Sequence, residues 1–102
     1  MKTFRPHYVL SAVQAIVADP NSRPFTVTAL RGGLALGLVE SDMRKIVLAL
    51  SHGGFRHSMT TKSDHRVWQD VYDGWTAGGT EVYIKITQYT DGGPVVIQFK
   101  EK

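Results

Sequence analysis

The sequence contains no cysteine, so neither a disulfide framework nor thiolate chemistry is available to it. Its apolar runs are interrupted well before the roughly 20 residues that a membrane-spanning helix needs. The N-terminal residues show no convincing signal-peptide cleavage site. These absences exclude a disulfide-stapled scaffold and predict a cytoplasmic protein with no membrane segment.

Glycine-rich phosphate-binding loops and clusters of metal ligands are missing as well. The pairs Gly32-Gly33 and Gly53-Gly54 lack the remaining residues and the flanks of any nucleotide-binding motif. Asp64 and His65 would point to opposite faces of a strand, and no other His, Asp or Glu has ligand spacing. The sequence therefore predicts no metal site and no cofactor. It favours a turn capped by Ser63 or Asp64, with His65 hydrogen-bonded locally.

The surplus of positive charge is small. Twelve Lys and Arg residues against nine Asp and Glu give a net charge of +3, which suits an acidic partner such as RNA but forms no polybasic patch. Residues 1–54 contain six basic and three acidic side chains, whereas residues 55–102 contain six of each. The surplus therefore lies in the first half, and charge alone is weak evidence of function.

Hydrophobic spacing predicts three helices in the first half of the chain. Between Pro6 and Pro20, apolar residues recur at the spacing of an amphipathic helix. Thr28 is expected to cap a second helix over 29–35, and Ser41 a third over 42–51. Glycines after the second and third helices are expected to end them.

From residue 55 onward, β-branched and aromatic residues alternate with polar ones, which predicts strands near 55–61, 66–73, 80–90 and 95–101. Turns are expected at Asp73-Gly74, Gly78-Gly79 and Asp91-Gly92-Gly93. Helices followed by an antiparallel meander predict an α+β fold, with the N-terminal helices packed on one face of a curved antiparallel sheet. Length and composition favour a single domain over residues 1–102.

The two C-terminal strands each carry a polar face. Tyr83 and Lys85 alternate with apolar residues, and Lys100 lies opposite the apolar positions of the last strand. These three side chains are therefore predicted to share one face of the sheet. Such a face suits phosphate binding, although a solvated face without function would show the same pattern.

Residues 57–72, HSMTTKSDHRVWQDVY, concentrate ionisable and hydrogen-bonding side chains between apolar anchors. His57 titrates near neutral pH and could transfer a proton. On a regular strand it would share a side with Phe55 and Met59, which favours a half-buried structural histidine unless a β-bulge lies near the strand start. Gln69 can donate and accept hydrogen bonds at once, whereas the two tryptophans, Trp68 and Trp75, are expected to pack.

These residue types suit RNA cleavage in which the substrate's own 2′-hydroxyl attacks the adjacent phosphate. The reaction needs a base for the hydroxyl, a cation for the non-bridging oxygens and an acid for the departing 5′ oxygen. His, Lys, Arg, Tyr and Gln can supply all three functions without a metal. The sequence is therefore compatible with a metal-independent ribonuclease.

The segments SMTTKSDHRVWQDVY, VYIKIT and FKEK resemble the motility quorum-sensing regulator toxin family, MqsR. The similarity extends through PHY…L…V and LGL across nearly the whole chain. It implies the fold of RelE-like bacterial toxins and microbial ribonucleases. It also implies a ribosome-independent mRNA endoribonuclease that cleaves at GC-containing sites and inhibits translation and growth. The implied partner is a DNA-binding, zinc-carrying antitoxin, through which the toxin reaches operator DNA.

The resemblance also assigns site residues. The family's glutamine, tyrosine and C-terminal lysine fall on Gln69, Tyr83 and Lys100, and the family lysine before SMTT is His57 here. These four residues are expected to be catalytic, with His57 acting as acid or base instead of as a permanent charge. The residues expected to bind RNA are Arg56, Lys62 and Lys85, of which the first two are alternative sources of the missing charge. The departure at His57 also permits a weak or inactive member that serves as an antitoxin-binding partner in operator regulation.

Overall fold

The computed structural model describes all 102 residues, as three helices packed on one face of a five-stranded antiparallel sheet. The helices are α1 (Leu10–Ala18), α2 (Val27–Ala35) and α3 (Glu40–Leu48), and a short 3₁₀ helix, His52–Gly54, leads into the sheet. The strands are β1 (Lys2–Thr3), β2 (Phe55–Thr60), β3 (Trp68–Trp75), β4 (Glu81–Gln88) and β5 (Val95–Glu101), side by side in that order. The predicted α+β class is confirmed. None of the helices is long and apolar enough to cross a membrane.

The hydrophobic core lies between the helices and one face of the sheet. The helices contribute Val13, Val17, Met43 and Val47, all buried. The buried strand residues on the same side are Tyr72, Val82, Ile84, Ile86, Val95, Ile97 and Phe99. Burying one large apolar side chain is worth roughly 1.5–3 kcal/mol, so this alternation sets the register and leaves the opposite face of the sheet for other roles.

Two helices begin earlier than predicted, because other side chains cap them. Thr26, not Thr28, caps α2, and its hydroxyl accepts a backbone N–H of the first turn at 3.0 Å. In α3 the carboxylate of Asp42 accepts the N–H of Val39 at 3.0 Å, so Ser41 lies inside the helix and does not cap it. The buried face of α3, with Met43, Ile46 and Val47, is the one that the spacing of its apolar residues predicts.

The predicted turn at Asp73-Gly74 is wrong, since β3 continues through both residues to Trp75. The hairpin turn follows over residues 76–80. The glycine has a packing role, because a Cβ atom there would lie 2.9 Å from the Cδ1 atom of Ile84. Asp73 therefore presents its side chain from within a strand and not from a corner.

A β-bulge at Arg56 sets which way the residues of β2 face. Phe55 pairs with Tyr72 and His57 pairs with Val71, which leaves Arg56 as the extra residue. Phe55 packs on the helix side of the sheet, where its ring centre lies 5.4 Å from that of Tyr72. His57 and the residues beyond it are thereby turned to the other side of the sheet. The bulge that a functional His57 requires is present.

Asp70 anchors the N-terminal segment to the helix side of the sheet. Its side chain is 1% exposed, and its carboxylate accepts the backbone N–H groups of His7 and Tyr8 at 3.0 and 2.9 Å. The Tyr8 hydroxyl donates to the carbonyl oxygen of Trp68 at 2.7 Å, and the carbonyl oxygen of Gln88 lies 3.2 Å away. The helix side of β3 is therefore occupied by structural contacts.

Two buried tyrosine hydroxyls allow a test of this packing. The hydroxyl of Tyr72 has no hydrogen-bond partner in the protein, and burial raises the pKa of Tyr72 to about 12. We expect Tyr72→Phe to raise the free energy of unfolding by about 1 kcal/mol, because it removes an unsatisfied buried group. Tyr8→Phe, which loses the hydrogen bond to the Trp68 carbonyl oxygen, is expected to lower it by about 1–2 kcal/mol. Urea unfolding measures both, and equal losses in the two variants would contradict this account.

Candidate active site

The sheet face that points away from the helices, the outer face, carries the predicted site residues in rows. Directly paired residues of antiparallel strands share a face, so the strand registers define the rows. The first row contains Arg56, Asp73, Tyr83 and Lys100, with Arg56 brought there by the bulge. The second contains His57, Val71, Lys85 and Gln98. The third contains Met59, Gln69, Thr87 and Val96.

Two adjoining depressions occupy the outer face. The first depression, of about 340 Å³, is lined by residues that include Arg56, His57, Tyr83, Lys100 and Glu101. The second depression, of about 400 Å³, is lined on its polar side by residues that include Lys62, Gln69 and Gln98. Met59 and Lys85 line both.

All seven predicted site residues therefore line these depressions, but they do not converge on one point. Successive residues of a strand are about 3.3 Å apart, which places the row of Gln69 about 13 Å from the row of Tyr83 and Lys100. Gln69 and Lys62 belong to the second depression, whereas His57, Tyr83 and Lys100 belong to the first. Only the first depression brings together an imidazole, a phenol and an ammonium group.

The ring of Tyr83 lies near two cations, Arg56 and Lys102, which both bind the carboxylate of Asp73. Asp73 accepts hydrogen bonds from Arg56 at 3.1 Å and from Lys102 at 3.3 Å. Lys102 also pairs with Glu81 at 2.9 Å. The Arg56 guanidinium lies 5.8 Å, and the Lys102 ammonium 5.2 Å, from the centre of the Tyr83 ring. The two cations orient the ring, and both are already neutralised by protein carboxylates.

Three other cations of this face have no carboxylate partner. Lys62, Lys85 and Lys100 take part in none of the salt bridges of the protein. An unpaired ammonium group on a concave surface attracts an anion such as a phosphodiester. The outer face therefore has a local positive charge, although basic and acidic residues are equal in number over residues 55–102.

His57 is half-buried in the first depression. Burial lowers the pKa of His57 below its ordinary value of 6.5, and the charges of Lys2, Arg56 and Lys85 lower it further. The lowered pKa favours the neutral imidazole, which can accept a proton. His57 lines the same depression as Tyr83 and Lys100, an arrangement that suits the predicted functional role.

Comparison with known proteins places these residues in a family. A family described as "Motility quorum-sensing regulator, toxin of MqsA" matches residues 5–101. The chain belongs to this family. The mRNA interferase toxin MqsR of Escherichia coli (strain K12) is 40% identical over 102 residues, which are 100% of both chains. The predicted resemblance to the MqsR family is confirmed.

The MqsR family pattern did not reveal Asp73, Lys102 and Gln98 as residues of the site. Asp73 was hidden by its apparent Asp-Gly turn, and the pairing of Lys102 depends on contacts between distant strands. Gln98 was detectable, because the alternation of the last strand places it on the same side as Lys100. Nothing in its local sequence distinguished it from a solvated residue.

The loop before β3 has the structural role that the sequence predicts. The carboxylate of Asp64 accepts hydrogen bonds from the side chain and backbone of Arg66, which hold the pKa of Asp64 below its usual range. Thr61, not Ser63, completes the turn, with its hydroxyl donating to the Asp64 carbonyl oxygen at 2.7 Å. The predicted hydrogen bond of His65 is wrong, since its exposed side chain makes none.

The tryptophans differ from one another. Trp68 packs as predicted, with its ring stacked on that of His7 at 5.5 Å between centres. Trp75 is 54% exposed at the end of β3, so the packing prediction is wrong for this residue. Neither tryptophan lines the two depressions of the outer face.

Proposed function

We propose that this protein is the toxin of a toxin–antitoxin pair and an mRNA endoribonuclease that uses the substrate's own 2′-hydroxyl, without a metal ion. Family membership and the 40% identical mRNA interferase toxin support the toxin and endoribonuclease assignments. The observation that carries the mechanism is the meeting of His57, Tyr83 and Lys100 in the first depression. These side chains supply a base, an acid and a cation.

The neutral imidazole of His57 accepts the proton of the 2′-hydroxyl, and the resulting oxygen attacks the adjacent phosphorus. Lys100 stabilises the charge that develops on the non-bridging oxygens. Tyr83 donates its proton to the 5′ oxygen as the phosphorus–oxygen bond breaks. The products carry a 2′,3′-cyclic phosphate and a 5′-hydroxyl.

The remaining predicted residues act on the RNA outside the reacting phosphate. Lys62 and Lys85 bind the RNA backbone, since neither has a protein carboxylate as partner. Arg56, held by Asp73 at 3.1 Å, keeps Tyr83 in place and borders the path of the RNA. Gln69 positions the substrate from the second depression.

The proposed partner is an antitoxin of the kind that the family description names as MqsA. Contact with operator DNA takes place only through that DNA-binding antitoxin. Following the resemblance, we propose GC-containing sites as targets, cleavage independent of the ribosome, and action in the cytoplasm. Production of the toxin alone is expected to arrest growth, and the antitoxin to relieve the arrest.

A defined RNA tests the proposed chemistry directly. We expect the purified protein to cleave it in EDTA and to leave 5′-hydroxyl ends, which polynucleotide kinase labels without prior phosphatase treatment. A single 2′-deoxy substitution at the cleaved nucleotide is expected to abolish the cut, because it removes the nucleophile. Magnesium-dependent cleavage that continues at the 2′-deoxy position would refute the proposal.

A second candidate function follows from one observation, the histidine at position 57 where the family has lysine. In this alternative the protein is a weak or inactive nuclease that binds the antitoxin and acts in operator regulation. His57→Lys separates the two. A large gain of cleavage from an inactive start supports the alternative, whereas little change or a loss supports the nuclease.

A further inference from the structure

The second depression differs in chemistry from the first. Its polar lining includes the amides of Gln69 and Gln98 and the hydroxyl of Thr87, and no carboxylate lines it. Met59 and Tyr89 add apolar surface, 36% and 61% exposed respectively. Lys62 and Lys85 also line it. Its amides and apolar walls suit a flat, neutral ligand with hydrogen-bonding edges.

The two amides are free to bind such a ligand. The chain has four glutamines, and two of them are engaged within the protein: Gln14 donates to carbonyl oxygens at the C-terminal end of α3, and Gln88 donates to the carbonyl oxygen of Gly93 at 2.7 Å. Gln69 and Gln98 make no side-chain hydrogen bond and both face the second depression. An amide offers a donor and an acceptor together, as the edge of a nucleobase requires.

We propose that the second depression binds one nucleobase next to the cleaved bond, and that Gln98 is a specificity-determining residue. The base edge pairs with the amides of Gln98 and Gln69, and Tyr89 and Met59 contact its faces. The shared lining residues Met59 and Lys85 make the two depressions continuous, so a base in the second is joined to a phosphate in the first. The inference rests on the proposed function and names the subsite that selects its substrate.

The test compares RNAs that differ in one base on either side of the cleaved bond. The wild-type protein is expected to prefer one base at one of these positions, measured as the ratio of kcat/KM values. Gln98→Met, which keeps the length but removes the amide, is expected to reduce that ratio about tenfold. Lys45→Met, at an exposed position of α3 on the opposite side of the sheet from the outer face, is the control and is expected to leave the ratio unchanged.

The outcomes separate this inference from the proposed function. If the wild type cleaves without base preference, or if Gln98→Met keeps the full preference, the base subsite is refuted and the nuclease stands. If the wild type cleaves no RNA, the proposed function fails. The base subsite is then tested by the binding of 2′-O-methyl oligonucleotides that carry the same base changes. Fluorescence anisotropy is then expected to show a base preference that Gln98→Met reduces, and equal affinities in both proteins would refute it.

Discussion

Lys100→Ala is expected to reduce kcat for RNA cleavage by about 10²–10³-fold, the loss typical of removing one group that stabilises transition-state charge. The reason is that Lys100 pairs in register with Tyr83, lines the first depression and has no carboxylate partner. Its exposed position on the last strand means that the substitution disturbs little packing. The measurement is single-turnover cleavage of a defined RNA at saturating protein.

Lys102→Ala is the matched control, since Lys102 belongs to the same end of the sheet but is bound to Asp73 and Glu81. Its loss is expected to have a much smaller effect on kcat. Circular dichroism and thermal unfolding should show both variants folded. The two variants could instead lose activity equally, with high salt removing the difference in activity from the wild type. Both lysines would then only attract RNA, and the assignment of Lys100 to the reacting phosphate would fail.

His57→Gln is expected to lower kcat/KM by about 10²–10⁴-fold, the range for loss of a general base, and to change the pH profile. The pKa of His57 lies below 6.5 in the folded protein, so the active neutral form predominates at pH 7. Activity is therefore expected to be flat near neutrality and to fall as the pH drops through that lowered pKa. In His57→Gln the residual activity should lack this acidic limb.

The acidic limb of the pH profile is attributable to His57 only if the imidazole of His57 titrates over the same pH range. The imidazole resonances of His57 should show a midpoint below the ordinary value of 6.5. His57→Lys, which adds a permanent charge but no neutral base near pH 7, is likewise expected to lack the acidic limb. An unchanged acidic limb in His57→Gln would assign the base to another group.

Much of the fold followed from local pattern. The spacing of apolar residues in α1 and the alternation in β4 and β5 reflect the periods of helix and strand, and they placed Tyr83, Lys85 and Lys100 on one face correctly. Capping residues were less predictable, because Thr26 and Thr28 are equally good caps in isolation. Which of them caps α2 depends on where Phe25 and the following helix meet β5.

The error at Asp73-Gly74 shows why part of the site was hidden. Asp-Gly is a strong local turn signal, and only the packing around Gly74, where a Cβ would meet Ile84, shows that the strand continues. With the strand continued, Asp73 enters the outer face and binds Arg56 and Lys102. From the sequence, a functional His57 required a β-bulge near the start of its strand, but the position of that bulge could not be predicted.

By itself, the sequence determined the fold class, the polar face of the last two strands and the family to which the chain belongs. These depend on periodicity and on motifs of a few residues, which are local properties. The tertiary structure alone decided which cations remain unpaired, and that Gln69 lies apart from Tyr83 and Lys100. Ion pairing and row position depend on the register of strands far apart in sequence, and that register is set by packing of the other face against the helices.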